Sequence, residues 1–580
     1  MFKKMFLFYA HSKHSNMRIM SILIVCLGLF ELIGISLFIL LLDSSDNLVS
    51  KFVDSLFSSI GFDKNDLTIS FLIFLIFLLK LFVVIIFNKK ITFNMNNFVF
   101  EIRNNLIKQF SNAEFIIINK YNIGELNNLI TKESEQISVG YFFILNIILK
   151  ILLTIVYVTL SFLTNIYATL FAILLGFIFV AGFRKIVDLV KVNSKIMVRE
   201  NDETNSYISE FVYGLKYLFA TNGFAKISQR LELRLKSYSI AKYKLEYYGK
   251  LSKEVPESIG VLIIISVLVF NYLYIHDSTM SVLMSAVLLY KTFSNITGLQ
   301  YTYQNLMGVS APINKVIKFS QKLDKHKERN GLEVIKDIKD IKIEKLHFNY
   351  GNLSVIKNLS VNFRKNNIYA FVGGSGVGKT TILNILALLY SVNKDCYLVN
   401  DIDSNKIDKY KFRKKIGYVG QESLYFDGSI KENITLFEKY SDDAIEDIIE
   451  KTQLLDVVNS KGLDERLKSF GKDLSGGQLQ RISIARELIK RPEILILDEA
   501  TSALDANMER IIMSHILTLK KDMIIIIVAH RLSVLAGADQ ILYLDKEGVV
   551  ERGNMHELYN NNNKFKIMCN NQKIFMNKNA

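Results

Sequence analysis

The chain has 580 residues, 50% of them apolar, with a formal charge of +15 and only 3 cysteines. That length exceeds one compact core, so two or three domains are expected, and the scattered Cys26, Cys396 and Cys569 exclude a disulfide framework or a cysteine metal site. The positive charge could suit a nucleic acid, but a mean hydropathy of +0.23 assigns it to the cytoplasmic face of a membrane protein, and no nucleic-acid partner is expected.

Residues 1–17 hold only the brief apolar run Met5–Ala10 and read as an interfacial helix, not a cleaved signal peptide. Six apolar segments follow, at 18–42, 67–87, 141–164, 166–183, 257–275 and 279–300. Each is near the ~20 residues a membrane-spanning helix needs. Polar, helix-patterned stretches separate the second from the third and the fourth from the fifth, whereas Thr164–Asn165 and His276–Ser278 are short connections. Segment 43–66 is acidic (Asp43, Asp46, Asp54, Asp63, Asp66), and the 184–256 connection is rich in Lys and Arg. The positive-inside bias therefore puts both long connections and both termini in the cytoplasm. The span 18–311 is read as an all-α transmembrane domain, 312–340 as a linker and 561–580 as a loosely ordered Asn/Lys-rich tail. Between the last two, 341–560 carries strand-like runs and an α/β pattern with a mostly helical insertion at about 425–490.

Three motifs lie in order within that last domain. Ile368–Val372 is an apolar strand run feeding Gly373-Gly374-Ser375-Gly376-Val377-Gly378-Lys379-Thr380, with a helical pattern from Thr381 onward. That strand–loop–helix context suits a phosphate cradle, the glycines letting backbone N–H groups converge on the phosphates. Lys379 is expected at the β/γ-phosphates of ATP and Thr380 on Mg²⁺. Ile494–Leu497 ends in Asp498 and Glu499, a carboxylate for the hydrated Mg²⁺ and one to act as base or polariser toward the attacking water. Leu474-Ser475-Gly476-Gly477-Gln478 stands between them.

Together with Ser502–Asp505 and His530, these motifs resemble those of ATP-binding cassette (ABC) ATPases, in the family's order. The resemblance covers about 340–556 by motif and 18–310 by helix pattern. It implies a multidomain chain, a six-helix transmembrane domain followed by an α/β phosphate-loop NTPase with a helical subdomain, as in exporter-type half-transporters. It also implies that Tyr350 stacks on adenine, that Gln421 reaches Mg²⁺ and water, and that His530 stands near the γ-phosphate. Ser475 and Gly477, with Gly476 and Gln478 beside them, would cap the ATP held by a second subunit, with Asp505 at the subunit contact. A single cassette with every motif intact favours a homodimer, a heterodimer being the alternative. The long connections would end in coupling helices near Glu114–Asn128 and Glu210–Ala220, though any amphipathic helix has the second pattern. Just before the signature, Arg466–Gly471 lacks the acid that exporters often carry there.

Glu31, Lys80 and Lys150 interrupt apolar helices, and each needs a partner or water at that depth. A structural Glu31–lysine pair, direct substrate contact and snorkelling lysines are the three readings. The sixth segment turns polar and aromatic (Tyr290, Lys291, Ser294, Asn295, Tyr301, Gln304), as a wet cavity wall or as a helix leaving the membrane. The expected function is ATP-driven export or flipping of a lipid, lipid-linked glycan or peptide across the cytoplasmic (inner) membrane. Efflux of hydrophobic compounds and a membrane-anchored ATPase without transport are the alternatives. Phe30–Ile35 loosely resembles the first helix of lipid-linked oligosaccharide flippases. With 17 residues before the first helix, no fused N-terminal protease domain is expected.

Overall fold

The structure, a computed structural model, describes residues 9, 16–42, 65–275, 279–466, 473–528, 537–545 and 548–571. They fall into two compact units, one within Met1–Ser111 and Tyr121–Lys325, the other within Asn112–Lys120 and His326–Ala580.

The first unit is helical. Its long helices are α1 (Met17–Leu42), α2 (Asp66–Ser111), α3 (Ser134–Thr164), α4 (Ile166–Tyr213), α5 (Phe224–Phe270) and α6 (Thr279–Lys325). All six apolar segments lie on them, the fifth running on past α5 into a π-helical turn at Asn271–Ile275. At 1.5 Å per residue the 46 residues of α2 span about 70 Å, more than twice a ~30 Å hydrocarbon core. The polar stretches are therefore continuations of the apolar helices. Only 6% of the most apolar stretch of α2 is buried, and Phe74, Leu81 and Phe82 stand outward, a surface that suits lipid. The hairpin between α3 and α4 is tight because Asn165 adopts an extended conformation and its side chain accepts the Ala168 N–H at 2.9 Å. Leu37, Leu40, Tyr157, Leu160 and Leu288 form a core shared by α1, α3 and α6.

Helix α6 does not stop where the charged sequence begins. It runs through Pro312 to Lys325, held by Lys315 on Glu133 (2.8 Å), Phe319 against Phe110 and Tyr121, and Lys322 on the Tyr121 hydroxyl (2.8 Å). The proline removes one helical donor, and packing on both sides of it offsets that loss.

The second unit is built on two sheets. β1 (Asp340–Tyr350), β2 (Leu353–Arg364), β4 (Tyr397–Val399) and β5 (Ile402–Asp403) form an antiparallel sheet in the order β2-β1-β4-β5. The other sheet contains β3 (Ile368–Gly373), β6 (Ile416–Val419), β7 (Ile494–Asp498), β8 (Ile524–Val528), β9 (Gln540–Asp545) and β10 (Gly548–Gly553), ordered β10-β9-β3-β8-β7-β6. All its pairings are parallel except β9–β10. β3, β7 and β8 are buried along their whole length, so they read as continuous apolar runs. Because these strands are parallel, Gly373 and Asp498 leave the same edge of the sheet, with only β8 between their strands.

Three short helices (Ile430–Thr435, Asp442–Lys451, Leu455–Lys461) precede α8 (Gly476–Leu488) in the helical insertion. The chain past residue 560 is not simply loose. Asn563–Asn571 is a helix with Phe565 and Cys569 fully buried, Phe565 meeting Tyr543 edge-on at 6.3 Å. An i, i+4 apolar pair is enough to dock one face of this Asn-rich helix.

Candidate functional site

The glycine loop turns sharply out of β3. Gly373 has φ +157°, and a Cβ there would overlap the Leu544 carbonyl of β9. Gly376 (φ +80°) and Gly378 (φ +98°) are left-handed, and a Cβ on Gly378 would lie 3.0 Å from Val355. These three positions require glycine. Gly374 and Ser375 are open, Val377 leans on the core beneath, and Lys379 opens α7 (Lys379–Leu386), which also contains Thr380 and Thr381. The Lys379 ammonium curls over the loop to donate to the carbonyls of Gly373 (2.8 Å) and Gly374 (2.9 Å). Burial lowers its pKa, while Glu499 and Asp498 pull it back up.

Asp498 is buried at the end of β7. Desolvation, then the neighbouring Glu499, pushes its carboxyl above the usual carboxylate range, against hydrogen bonds from Thr380 and Tyr418. A desolvated carboxylate bonded to the hydroxyl that follows the loop lysine suits a divalent cation. Among the described residues no group of three or more His, Cys, Asp or Glu could hold a metal by itself, so phosphate oxygens would have to complete its shell. Gln421, two residues past β6, donates its amide to Glu499 Oε2 at 2.9 Å. Gln421, Glu499, Asp498, Thr380 and Lys379 are thus joined by direct contacts or facing charges.

Tyr350 ends β1, about one-third exposed, with its hydroxyl 3.3 Å from Thr381 Oγ1. Its ring meets those of Phe348 (5.2 Å) and Tyr390 (5.8 Å) edge-on. Ser475 caps α8 in a reciprocal box, its hydroxyl accepting the Gln478 N–H (3.2 Å) while the Gln478 side chain accepts the Ser475 N–H (2.8 Å). Gly476 and Gly477 lie against Ala503, too close at Gly477 for a side chain without some shift. Asp505 caps α9 (Ala506–Thr518), accepting from Asn507 and Met508. His530 and residues 467–472 lie outside the described residues.

Sequence reasoning missed Gln480. It is buried in α8, accepts the Ala503 N–H (3.0 Å) and donates to the Glu499 carbonyl (3.4 Å), fixing the loop after the acid pair. A glutamine inside a helix offers no signal of that role.

Among the membrane helices Glu31 is almost fully buried. Its carboxylate accepts from Lys80 of α2 and the Tyr157 hydroxyl of α3, with Lys291 of α6 at 3.4 Å. Of the three readings, the structure shows the ion pair, and it adds two partners that spacing did not reveal. Lys150 lies apart, against Gly298. A cavity of about 1100 Å³ is lined by Phe143, Lys195, Lys250, Tyr301, Gln304 and Met307, so the later part of the polar stretch of α6 faces open space, whereas Tyr290, Lys291, Ser294 and Asn295 do not line it.

Two family models match the chain: "ABC transporter transmembrane region" over residues 17–297 and "ABC transporter" over 356–502. The chain is similar to the heterocyst differentiation ATP-binding protein HepA of Nostoc sp., 29% identical over 75% of this chain and 72% of that one. It is similar also to the lactococcin-G-processing and transport ATP-binding protein LagD of Lactococcus lactis (30%; 67% and 55%). The ATP-dependent lipid A-core flippase of Francisella novicida is 32% identical over 47% of this chain and 46% of its own length. The chain thus spans only about half the length of these last two relatives. A bacterial Atm1-family ABC exporter solved with ATP bound shares the fold, with a TM-score of 0.77, 21% identity and coverage of 98% of this chain and 100% of that one.

Proposed function

We propose that this chain, which belongs to the ABC transporter family and is an ATPase coupled to transport, exports or flips an amphipathic substrate across the cytoplasmic membrane as a homodimer. The observation that carries the catalytic half is the contact of Gln421 with Glu499, beside a buried Asp498 bonded to Thr380. In this reading the glycine loop and Lys379 bind the triphosphate, Tyr350 stacks on adenine, and Thr380, Asp498 and Gln421 hold Mg²⁺. The cation screens phosphate charge when bound. Glu499 orients the attacking water and takes its proton, and Gln421 fixes the carboxylate that does so. His530 would complete the γ-phosphate side.

Ser475, Gly477 and their neighbours on one copy cap the nucleotide of the other, which is why two copies are required. Closing the two cassettes would move the membrane helices, and hydrolysis would release them. A lipid, lipid-linked glycan or peptide fits a cavity that joins Phe143 and Met307 to Lys195, Lys250 and Gln304. Two of its relatives, a lipid A-core flippase and a lactococcin-G-processing and transport protein, support a substrate of this kind.

The test is Glu499→Gln in proteoliposomes. Turnover should fall by about 100-fold or more while ATP binding persists and drives dimerisation. Undiminished turnover, or a nucleotide-loaded protein that stays monomeric, overturns the proposal. A labelled lipid-linked substrate tests flipping, whereas dye extrusion alone would favour efflux of hydrophobic compounds.

A further inference from the structure

Strand β6 sends one donor to each member of the acid pair. Gln421, two residues past the strand, donates to Glu499 Oε2 (2.9 Å), and Tyr418, within it, donates its hydroxyl to Asp498 Oδ2 (3.5 Å). The strand register accounts for the second contact. Tyr418 pairs with Ile496 of the parallel β7, so both side chains stand on one face of the sheet, and Asp498 is the next residue of β7 on that face. Two residues of a parallel strand rise about 6.6 Å. A tyrosine bridges that gap with its hydroxyl, and a phenylalanine falls one atom short.

β6 is the last strand in the sheet order, so only β7 pairs with it there. Its other side is fixed by α8: the Tyr418 N–H donates to the Glu487 carboxylate at 3.2 Å, which also accepts from Lys490 (2.8 Å). The Tyr418 ring packs on the apolar layer that holds Phe371, Ile496 and Val528. A phenylalanine would fill that place equally well, and setting a phenol among apolar side chains is costly unless its hydroxyl is bonded. Burial, then the charge of Asp498, pushes the Tyr418 pKa well up, so toward the carboxylate the phenol acts as a donor. The other hydroxyl on Asp498 belongs to Thr380, itself read as a cation ligand. Tyr418 is thus the support of Asp498 that the cation does not share.

We infer that Tyr418 is a positioning residue for the divalent cation, holding the Asp498 carboxylate in the orientation that retains Mg²⁺ beside the bound triphosphate. The inference rests on the reading of Asp498 as a holder of Mg²⁺. Hydrogen bonds to a ligating carboxylate are typically worth about 10- to 100-fold in metal affinity. This bond is long for a hydroxyl donor, so the lower end applies. The hydroxyl acts on the carboxylate, so nucleotide affinity measured without a divalent cation should not change.

The experiment loads the full-length protein in nanodiscs with the non-hydrolysable analogue AMP-PNP and follows Mn²⁺ binding by electron paramagnetic resonance. AMP-PNP affinity in EDTA is measured alongside. Tyr418→Phe keeps the ring and its packing, and should weaken Mn²⁺ binding about tenfold while AMP-PNP affinity in EDTA is unaltered. In an Asp498→Asn background it should add nothing. If Asp498→Asn weakens Mn²⁺ binding and Tyr418→Phe does not, the positioning role is refuted and the reading of Asp498 stands. If Asp498→Asn leaves Mn²⁺ affinity unchanged, that reading fails and the inference with it. A matching loss of AMP-PNP affinity in EDTA for Tyr418→Phe would mean that the strand itself has shifted, and also refutes the inference.

Discussion

Replacing Glu31 by glutamine removes the one negative charge from a site that holds two lysines. Its carboxylate accepts from Lys80, Tyr157 and Lys291, donated from three different helices, so the change loosens α1 against α2, α3 and α6 together. Breaking a fully buried pair costs about 3–5 kcal/mol. Polar contacts among membrane helices average only about 0.6 kcal/mol each, or about 2 kcal/mol for three. The side chains of Lys80 and Lys291 keep 27% and 44% of their surface, so water reaches them and the lower figure should govern. We expect a loss of about 2 kcal/mol, which for a unit of roughly 300 residues lowers the thermal midpoint by about 3 °C. The assay is thermal unfolding of the purified protein in nanodiscs, with transport measured in parallel. Adding Lys80→Met and Lys291→Met to Glu31→Gln should recover stability, because no charge is then left unpaired. An unchanged midpoint with transport lost would show that Glu31 serves the substrate instead, and an unchanged midpoint with transport intact would refute both roles.

Asp498→Asn should stabilise the nucleotide-free protein near neutral pH while abolishing Mg²⁺-dependent turnover. Its folded pKa is raised, so the ionised form is penalised: the cost is absent below the unfolded pKa, grows as pH rises from there toward the folded one, and is complete above it. The stabilisation should therefore vanish in acid, which thermal scans across pH can follow. Arg486→Met strands the carbonyls of Asn433 and Leu424, now bonded at 2.7 and 2.9 Å, and should cost about 2–5 kcal/mol in denaturant unfolding. Because Leu424 follows Gln421 closely, ATPase activity should fall with it. Gly373→Ala should leave no folded cassette by size-exclusion chromatography, since its Cβ meets a β9 carbonyl. Gly376→Ala, with open space around it, should lose only about 1–2 kcal/mol to its left-handed backbone.

These cases show which parts of the molecule were legible in the sequence. The six long helices were, because a lipid solvent imposes long apolar runs that few other structures need. The phosphate loop was, because its glycines answer a local backbone requirement that Gly373, Gly376 and Gly378 each meet. Pairings between distant residues were not. Nothing near Glu31 in sequence announces Tyr157 or Lys291, and Pro312 signals an ending that packing around Phe319 overrides. The Asn-rich end was misleading for a similar reason, since its composition is polar while Phe565 and Cys569, with Met568 beside them, dock it.

The acid pair shows the same limit at the smallest scale. Successive residues of a strand point to opposite faces, so a straight β7 would send Asp498 and Glu499 apart. Both nonetheless act on the charge of Lys379. The chain achieves this by leaving strand geometry at Glu499, which takes φ +54°, a left-handed conformation that costs a non-glycine residue about 1–2 kcal/mol. Among the contacts that hold it there are its N–H to the Val528 carbonyl of β8 (2.9 Å), its carbonyl accepting from the Ser502 N–H (3.1 Å) and from Gln480 of α8 (3.4 Å), and its carboxylate accepting from Gln421 beyond β6 (2.9 Å). A glycine would relieve the strain but carry no carboxylate, so the position must be filled by a strained acid and supported by its surroundings. Beside the local Ser502 contact, that support comes from Val528, Gln480 and Gln421, residues remote in sequence from the motif that contains Glu499. The motif names the acid, and the fold supplies the backbone turn that aims it.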